Sequence, residues 1–100
     1  MQYQPASGRT RFDAAEFLKT PEEMAAYLNA CFDEDAGDGV LIRAALNDIA
    51  RAQGMTQVAR DAGLGRESLY KALSSTGNPE FATIMKVMKA LGLRLHAVAG

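Results

Sequence analysis

The chain has 100 residues, of which 48% are apolar, and a formal net charge of −1 at pH 7. This length suits one small domain with a modest core. There is no apolar run long enough to span a membrane, no signal-peptide pattern, and only one cysteine, Cys31, which excludes an intramolecular disulfide. We therefore expect a cytoplasmic protein.

The charge is unevenly distributed between the two halves of the chain. Residues 1–53 carry five Lys or Arg and nine Asp or Glu, whereas residues 54–100 carry six and three. This asymmetry indicates two partners of opposite charge, or a protein partner and a polyanion. Uneven but fully solvated faces explain the same numbers equally well, so charge alone leaves both interpretations open.

The N-terminal part of the chain predicts a tail followed by a helix. Residues 1–11 mix Gln, Pro, Ser, Gly and Arg without an apolar period, which predicts a flexible tail, and we expect residues 12–100 to form a single domain. Asp13 can cap a short turn that runs to Leu18. Thr20-Pro21-Glu22-Glu23 predicts a helix start, with a capping Thr, a Pro at the first helical position and acids in the first turn. The apolar face of this helix comprises Met24, Leu28, Cys31 and Phe32, with Tyr27 beside them.

A second helix is predicted to begin at Asp38 or Gly39 and to end at Gly54. Its apolar stripe comprises Leu41, Ile42, Ala45, Leu46 and Ile49. Its solvent side comprises Arg43, Asn47, Asp48 and Arg51.

Residues 55–74, MTQVARDAGLGRESLYKALS, predict two short helices joined by a tight turn. We expect Thr56 to cap the first helix, over residues 57–62, and the second to run from Gly65-Arg66 to about Leu73. The turn carries helix-turn-helix spacing: a small residue, three spacers, a Gly, and a Leu six residues later. These residues are Ala59, Gly63 and Leu69. The predicted buried side comprises Val58, Ala62, Leu64, Leu69, Ala72 and Leu73.

The outward face of the second short helix carries side chains suited to DNA. The N-terminal residues of a recognition helix meet the major groove, where Arg66 can pair with a guanine edge and Glu67 can accept from cytosine N4. The remaining side chains suit phosphate, sugar or water-mediated contacts, and free N–H groups at the start of the first short helix favour phosphate. The predicted DNA-contact residues are Thr56, Gln57, Arg66, Glu67, Ser68, Tyr70, Lys71 and Ser74. An ordinary solvated helix face is the alternative interpretation.

The C-terminal part predicts one more helix and an extended segment. Asn78-Pro79-Glu80 repeats the helix-start signal, and the next helix is expected to end at Gly92. Residues 93–98 alternate like a strand but have no partner strand in the sequence. A lone strand leaves its backbone unpaired, which predicts pairing across a dimer or with another protein; a disordered tail is the alternative. The apolar residues of the helix are Phe81, Ile84, Met85, Met88 and Leu91.

The sequence predicts no catalytic, cofactor or metal site. His96 is the only histidine and has neither metal ligands nor a nucleophile at suitable spacing, so we expect a surface residue. Cys31 is expected to be a small core residue. The methionines at core spacing are Met24, Met55, Met85 and Met88. There is no phosphate-binding loop and no dinucleotide fingerprint.

The run from Leu46 to His96 resembles the HigA-like addiction-module antidote proteins of the Xre/lambda-repressor-like helix-turn-helix class. The residues that carry the resemblance are LNDIARAQGMTQVARDAGLGRESLYKALS, followed by GNPEFATIMKVMKALGLRLHA. The N-terminal FDAAEFLKTPEEMAAYLNACFDED is similar to the opening of the same family, which extends the resemblance to about residues 12–98. One departure is Gly65, which stands where such proteins often place Ser as the helix cap and removes one phosphate contact there.

The resemblance implies an all-α, five-helix, lambda-repressor-like domain, with or without a short C-terminal β-strand. It implies a non-enzymatic homodimer that binds double-stranded operator DNA, represses its own operon and neutralises a cognate RNase-type toxin. The acidic N-terminal half would suit the basic surface of an RNA-cleaving toxin. The candidate residues are Glu22, Glu23, Asp33, Glu34 and Asp35; for any one of them taken singly, a solubilising face is the preferred explanation. Two alternatives stay open: a stand-alone Xre-type repressor without a toxin, and a protein-interaction module that has lost DNA binding.

Overall fold

A computed structural model describes residues 18–100, which contain five α-helices. In chain order these are α1 (Pro21–Glu34), α2 (Val40–Gln53), α3 (Met55–Ala62), α4 (Arg66–Leu73) and α5 (Phe81–Ala90). The predicted all-α, five-helix architecture is therefore confirmed. The predicted tail over residues 1–11 and the turn capped by Asp13 lie outside the described residues.

The start of α1 is fixed by a reciprocal capping box. The Thr20 hydroxyl accepts from the Glu23 N–H at 3.1 Å, and the Glu23 carboxylate accepts from the N–H groups of Thr20 at 3.0 Å and Lys19 at 2.9 Å. The hydrogen bond from the Lys19 N–H is the main reason why the pKa of Glu23 lies below its ordinary value. The helix start predicted from the sequence is thus confirmed, and Glu23 has a structural role in it.

The junction between α1 and α2 depends on Asp35, the C-cap residue directly after α1. Its carboxylate accepts from the N–H groups of Gly37 at 2.8 Å, Gly39 at 3.0 Å and Leu41 at 3.1 Å. Gly39 precedes α2 with a left-handed backbone, φ 80°, and cannot supply a side-chain cap. Asp35 therefore takes over capping from outside the helix, next to the positive end of the α2 dipole.

Helix α2 is the central element of the core. It packs against α1, α3 and α4, while α3 also packs against α4 and α5. Ile49 and Ala50 of α2, Leu69 of α4 and Val87 of α5 are all 0% exposed. Burying each of the larger side chains contributes about 1.5–3 kcal/mol, so the same core that stabilises the protein also fixes the position of α4.

Two polar contacts attach α1 and the segment before it to α2. The Tyr27 hydroxyl donates to Asp48 Oδ2 at 2.6 Å, a short charge-assisted hydrogen bond in a half-buried position. The Gln53 side-chain amide donates to the carbonyl of Leu18 at 2.8 Å. Asp48, predicted on the solvent side of α2, is therefore part of the α1–α2 contact.

Helix α5 begins where predicted, but its buried face differs from the prediction. Phe81 is 68% exposed and Met85 is 39% exposed, whereas Val87, absent from the predicted stripe, is completely buried. The prediction of Met85 as a core residue is wrong. Apolar side chains occupy more than one face of α5, so spacing alone does not determine its rotation. Gly92, at φ 77°, ends the helix as expected.

The segment after α5 has no regular secondary structure. Leu93 is buried, whereas residues 94–100 are exposed, and no strand occurs among residues 18–100. The predicted C-terminal strand is therefore not formed within the described part of one chain. No helix in that same part is long and apolar enough to cross a membrane.

Candidate nucleic-acid interface

Glycine-containing joints position α3 and α4. Gly54 separates α2 from α3 at φ 106°, and Gly63 ends α3 at φ 71°, in the left-handed region that favours glycine. The Gly63 N–H donates to the carbonyl of Arg60 at 3.1 Å and the Leu64 N–H to that of Ala59 at 2.9 Å. These two bonds form a Schellman motif. The turn predicted at Gly63 is confirmed, and Ala59 is buried beside it.

Helix α4 has one buried face and one exposed face. Leu69 and Leu73 are 0% and 2% exposed, which anchors the helix on α2 and α3. Five of the predicted DNA-contact residues are exposed on it: Arg66, Glu67, Ser68, Tyr70 and Lys71. Ser74, just after the helix, is half-buried, and its hydroxyl donates to the Lys71 carbonyl at 2.9 Å. The structure therefore brings together all of these side chains except Ser74 as a polar surface.

The start of α3 differs from the prediction. Met55 is the first helical residue and Gly54 the N-cap, so Thr56 lies inside the first turn, and α3 has no side-chain cap. The predicted Thr56 cap is wrong because the backbone of Gly54 allows α3 to follow α2 without a linker, and burial of Met55 favours the earlier start. Thr56 and Gln57 are nevertheless both exposed.

The side chain of Gln57 is oriented by its neighbours on α3. Its amide nitrogen donates to Asp61 Oδ1 at 2.9 Å, and its amide oxygen accepts from Arg60 at 3.2 Å. One N–H of the Gln57 amide remains available to a ligand, since the amide has two donors and one of them is used. Gln57 is therefore exposed and keeps one amide N–H with which it can make the predicted phosphate contact.

Arg66 and Tyr70 form a pair on the exposed face of α4. The Arg66 guanidinium carbon lies 5.4 Å from the centre of the Tyr70 ring, and the guanidinium donates to the Tyr70 hydroxyl at 3.3 Å. The two residues are four positions apart and thus neighbours on a helix surface. Stacking on the ring restricts the orientations of Arg66 and holds its charge at the N-terminal half of α4.

The first turn of α4 has free backbone donors. Gly65 is the N-cap and offers no side-chain acceptor, and the first helical hydrogen bond runs from Leu69 N–H to Gly65 O at 3.0 Å. The N–H groups of Arg66, Glu67 and Ser68 consequently have no acceptor in residues 18–100. Such donors, together with the helix dipole, favour an anion at this end of α4.

Arg43 fixes the other end of α4, which sequence reasoning missed. Its Nε donates to the carbonyl of Ser74 at 2.9 Å and another guanidinium nitrogen donates to that of Ser75 at 3.1 Å. A cation at the carboxyl end of a helix also interacts favourably with the negative end of the helix dipole. No local signal marks this role, since the partners are 31 and 32 residues apart in the chain.

Gly77 allows the linker between α4 and α5 to pass directly against the end of α4. A Cβ at this position would overlap the carbonyl oxygen of Lys71 and lie 2.8 Å from that of Ala72. Only a residue without a side chain fits here. No sequence signal marks Gly77, since its backbone is not left-handed and the restriction comes from a close contact.

Two of the five acidic candidates for toxin binding have structural roles in the fold, and three do not. Glu23 caps α1, and Asp35 caps the junction with α2. N–H donors, that of Gly39 first, hold the pKa of the Asp35 carboxyl below its ordinary value. Glu22, Asp33 and Glu34 are exposed, and their carboxylates make no hydrogen bond among the described residues. Among the five candidates, these three therefore have carboxylates that remain available to a ligand, Glu22 at the start of α1 and the other two at its end.

Residues 18–100 contain no group of three or more side chains suited to a metal ion. The single cysteine is half-buried, and burial, reinforced by nearby carboxylates, raises the pKa of the Cys31 thiol. A protonated thiol is a poor nucleophile. Cys31 packs against the core, which supports a packing role.

Comparison with known proteins gives one family and one curated relative. A family model described as "Probable addiction module antidote protein" matches residues 8–99. An uncharacterized protein from Haemophilus influenzae is 61% identical over 85 residues, which cover 85% of this chain and 86% of that protein. No solved structure matches the chain. The antidote part of the resemblance seen in the sequence is thus confirmed.

Proposed function

Because the chain belongs to the family of addiction-module antidote proteins, we propose that it is a non-enzymatic antitoxin that binds operator DNA as a homodimer. It represses its own operon and neutralises a cognate toxin of the RNase type. Within the antidote proteins we assign it to the HigA-like, Xre/lambda-repressor-like helix-turn-helix class. Membership of the family supports the toxin partner, and the polar α3–α4 surface supports the DNA-binding role.

The two faces of α4 are the observation that carries the DNA-binding proposal. Leu69 and Leu73 are buried in the core, so the helix is held rigidly, while its outward face presents Arg66, Glu67, Ser68, Tyr70 and Lys71. In this proposal α4 enters the major groove with its N-terminal residues first. Arg66 reads guanine, Glu67 accepts from cytosine N4, and Lys71 meets phosphate or a base.

Backbone donors and neighbouring side chains fix the register on DNA. The free N–H groups at the start of α4, together with Thr56 and Gln57 on α3, contact phosphate. Tyr70 and Ser68 add sugar, phosphate or water-mediated contacts, and Ser74 contributes through water, since its hydroxyl is already bonded to the Lys71 carbonyl. In a two-fold dimer the two copies of α4 would enter half-sites about 34 Å apart.

Fluorescence anisotropy on the DNA just upstream of the reading frame tests the proposal. The full chain is titrated against this duplex and against a scrambled duplex of equal length, each at several salt concentrations. We expect salt-dependent binding that prefers the upstream DNA by roughly 10³-fold or more. Equal, weak binding to both duplexes would contradict operator recognition by the free protein.

The toxin part has a separate test. The product of the neighbouring reading frame is purified, and its cleavage of RNA is measured with and without an equimolar amount of this chain. We expect suppression of cleavage in a stoichiometric complex. A neighbouring protein without RNase activity, or cleavage that continues in the presence of the chain, would contradict the proposed toxin class.

A further inference from the structure

A turn of polar residues directly follows the outward face of α4. Residues 74–76 form the turn, and residues 77–80 lead into α5; we call residues 74–80 the α4–α5 linker. Ser75, Thr76 and Asn78 are exposed, and their side chains make no hydrogen bond among the described residues. In the function proposed above, Ser74 is the only linker residue that contacts DNA.

The linker also has free backbone donors. The Gly77 N–H donates to the Ser74 carbonyl at 3.1 Å, which closes the turn. The N–H groups of Ser75, Thr76 and Asn78 have no acceptor within residues 18–100. Backbone N–H groups and the side chains of Ser, Thr and Asn are donors with which proteins contact the phosphates of DNA. The linker therefore presents a group of donors suited to an anion.

Arg43 offsets the negative charge that the end of a helix would otherwise present to an anion. The carboxyl end of a helix carries free carbonyl groups and the negative end of the dipole, which repel phosphate. Arg43 reaches this end from α2 and donates to the carbonyls of Ser74 and Ser75, at 2.9 and 3.1 Å. It forms no ion pair among the described residues, so no carboxylate there neutralises its charge. The end of α4 thus combines exposed donors with a cation.

Two acids belong to the surroundings of the linker. Glu80 is its last residue, next to α5, and Asp38 lines a small cleft together with Arg43 and Asn78. The Asp38 carboxylate accepts from the Val40 N–H at 3.0 Å, at the start of α2. Residues 74–79 themselves contain no acid, so the turn has no carboxylate of its own to repel a phosphate.

Close packing fixes the linker in this conformation. Gly77 passes so near to the end of α4 that a Cβ would lie 2.8 Å from the carbonyl oxygen of Ala72. Arg43 joins the linker to α2 at two carbonyl groups. A preformed group of donors loses less conformational freedom on binding than a flexible loop does. The donors of the linker can therefore bind a ligand without rearrangement.

The length of α4 brings the linker to the edge of a groove in DNA. The helix has 8 residues, which corresponds to a length of about 12 Å, similar to the width of the major groove, about 12 Å. With the N-terminal residues of α4 in the groove, as proposed above, the carboxyl end lies near one edge of it. The phosphates of the DNA backbone line that edge.

We propose that the α4–α5 linker is a phosphate-binding element beside the base-reading part of α4, and that Arg43 is the positioning residue that prepares it. The N–H groups and hydroxyls of Ser75 and Thr76 donate to one phosphate diester of the DNA backbone. Arg43 acts through the linker, because it binds the carbonyls of the turn and offsets the helix dipole. This role rests on the proposed DNA-binding function, to which it adds affinity without sequence preference.

Thr76→Glu tests the linker contact in anisotropy titrations of the full chain on the upstream and scrambled duplexes. An acid at this exposed position repels phosphate, so we expect binding to both duplexes to weaken by about tenfold or more, with the preference between them unchanged. Ala26→Glu, the same change of charge at an exposed position of α1, is the control and should bind within about twofold of wild type. Binding by Thr76→Glu that matches this control, or a loss confined to the upstream duplex, would overturn the proposal.

Arg43→Gln tests the positioning role, with Arg51→Gln on the same helix as the control for the loss of charge. Circular dichroism and urea denaturation establish that each variant is folded under the conditions of the titrations. We expect Arg43→Gln to weaken binding to both duplexes by about fivefold or more relative to Arg51→Gln. Added to Thr76→Glu, it should cost less than about twofold further, because both changes remove the same contact. Fully additive losses, or equal affinities of Arg43→Gln and Arg51→Gln, would overturn the role of Arg43.

The linker contact and the proposed function fail in distinguishable ways. A wild-type chain that binds neither duplex contradicts the DNA-binding function and the linker contact with it. A wild-type chain that prefers the upstream duplex, while Thr76→Glu binds as its control does, contradicts the linker contact alone. Thr76 is exposed and its side chain makes no hydrogen bond among the described residues, so this outcome does not depend on whether Arg43→Gln folds.

Discussion

In the proposed DNA complex, Arg66 is the side chain on which base reading by α4 depends most. In the free protein its guanidinium lies over the Tyr70 ring, an exposed contact of about 0.5–1 kcal/mol, whereas a bidentate contact to guanine contributes about 1–3 kcal/mol of discrimination. Arg66 can therefore leave Tyr70 for DNA. We predict that Arg66→Ala reduces the preference for upstream over scrambled DNA by about 1–3 kcal/mol in anisotropy titrations. Arg51→Ala is the control, and equal weakening on both duplexes would refute base reading by Arg66.

Asp35 gives the protein a titratable junction between α1 and α2. Its folded-state pKa is lowered, chiefly by the N–H of Gly39, so the ionised carboxylate stabilises the fold at pH above its unfolded value of about 3.9. That contribution is lost as pH falls through the folded pKa. We predict that Asp35→Asn is less stable than wild type at pH 7 in urea denaturation, and that the gap narrows below about pH 4. Asp33→Asn, which loses no hydrogen bond, should show no such gap.

Individual residues differed in how far the sequence revealed their roles. Thr20 and Gly63 were predictable because capping and left-handed turns are local properties, fixed by a few adjacent residues. The roles of Arg43 and Asp48 were not, because both were assigned to a solvent face by helical spacing, and their partners lie far away in the chain. Thr56 was misplaced because a Gly with an unusual backbone, Gly54, can also begin a helix.

At the scale of elements, the connection from α4 to α5 depends on the absence of a side chain at Gly77. A Cβ there would overlap the backbone at the end of α4, and the backbone cannot move without losing the bonds from Arg43 to Ser74 and Ser75. We predict that Gly77→Ala lowers the free energy of unfolding by about 1–3 kcal/mol or more. Gly100→Ala, with nothing within 4 Å, is the control for urea denaturation. Unchanged stability of Gly77→Ala would mean that this linker is not held against α4.

Substitution of Gly65, in the turn between α3 and α4, should have the opposite effect on the free energy of unfolding. Its backbone, φ −70° and ψ 150°, suits any residue, and a Cβ would meet only the Ser68 hydroxyl at 3.8 Å. We predict that Gly65→Ser raises the free energy of unfolding by about 0.5–1 kcal/mol, through a side-chain cap for α4 and a less flexible unfolded chain. Gly65→Ala separates the two effects in the same denaturation experiment, and a loss of stability in both would contradict the prediction.

Helix boundaries were more predictable than helix rotation. The start of α1 follows from its capping box, and the ends of α2 and α5 follow from Gly54 and Gly92, signals that act within one turn. The predicted buried face of α5 was wrong at Phe81, Met85 and Val87. A helix with apolar residues on several sides has no unique inward face until the elements that pack against it are known. The alternation of residues 93–98 predicted a strand, but none forms there within one chain, because pairing depends on a partner that one sequence does not contain.

At the scale of the whole molecule, the proposed DNA binding would have to overcome a net charge of −1. The acidic surplus lies in residues 1–53 and the basic surplus in residues 54–100, so attraction to DNA depends on which face is presented. Few cations belong to the α3–α4 surface: Arg60, Arg66 and Lys71. Removing one of them should therefore change the salt dependence of binding measurably.

Lys71 is the cation of α4 suited to a phosphate contact, because it is exposed near the end of the helix and has no hydrogen bond from its side chain among the described residues. We predict that Lys71→Ala weakens binding to upstream and scrambled DNA alike, and reduces the slope of log K against log salt by about 0.9 for each Lys71 that meets phosphate. Lys89→Ala, the same change on α5, should leave the slope nearly unchanged. An identical slope for Lys71→Ala and wild type would remove Lys71 from the backbone contacts, whereas a loss confined to upstream DNA would reassign it to base reading.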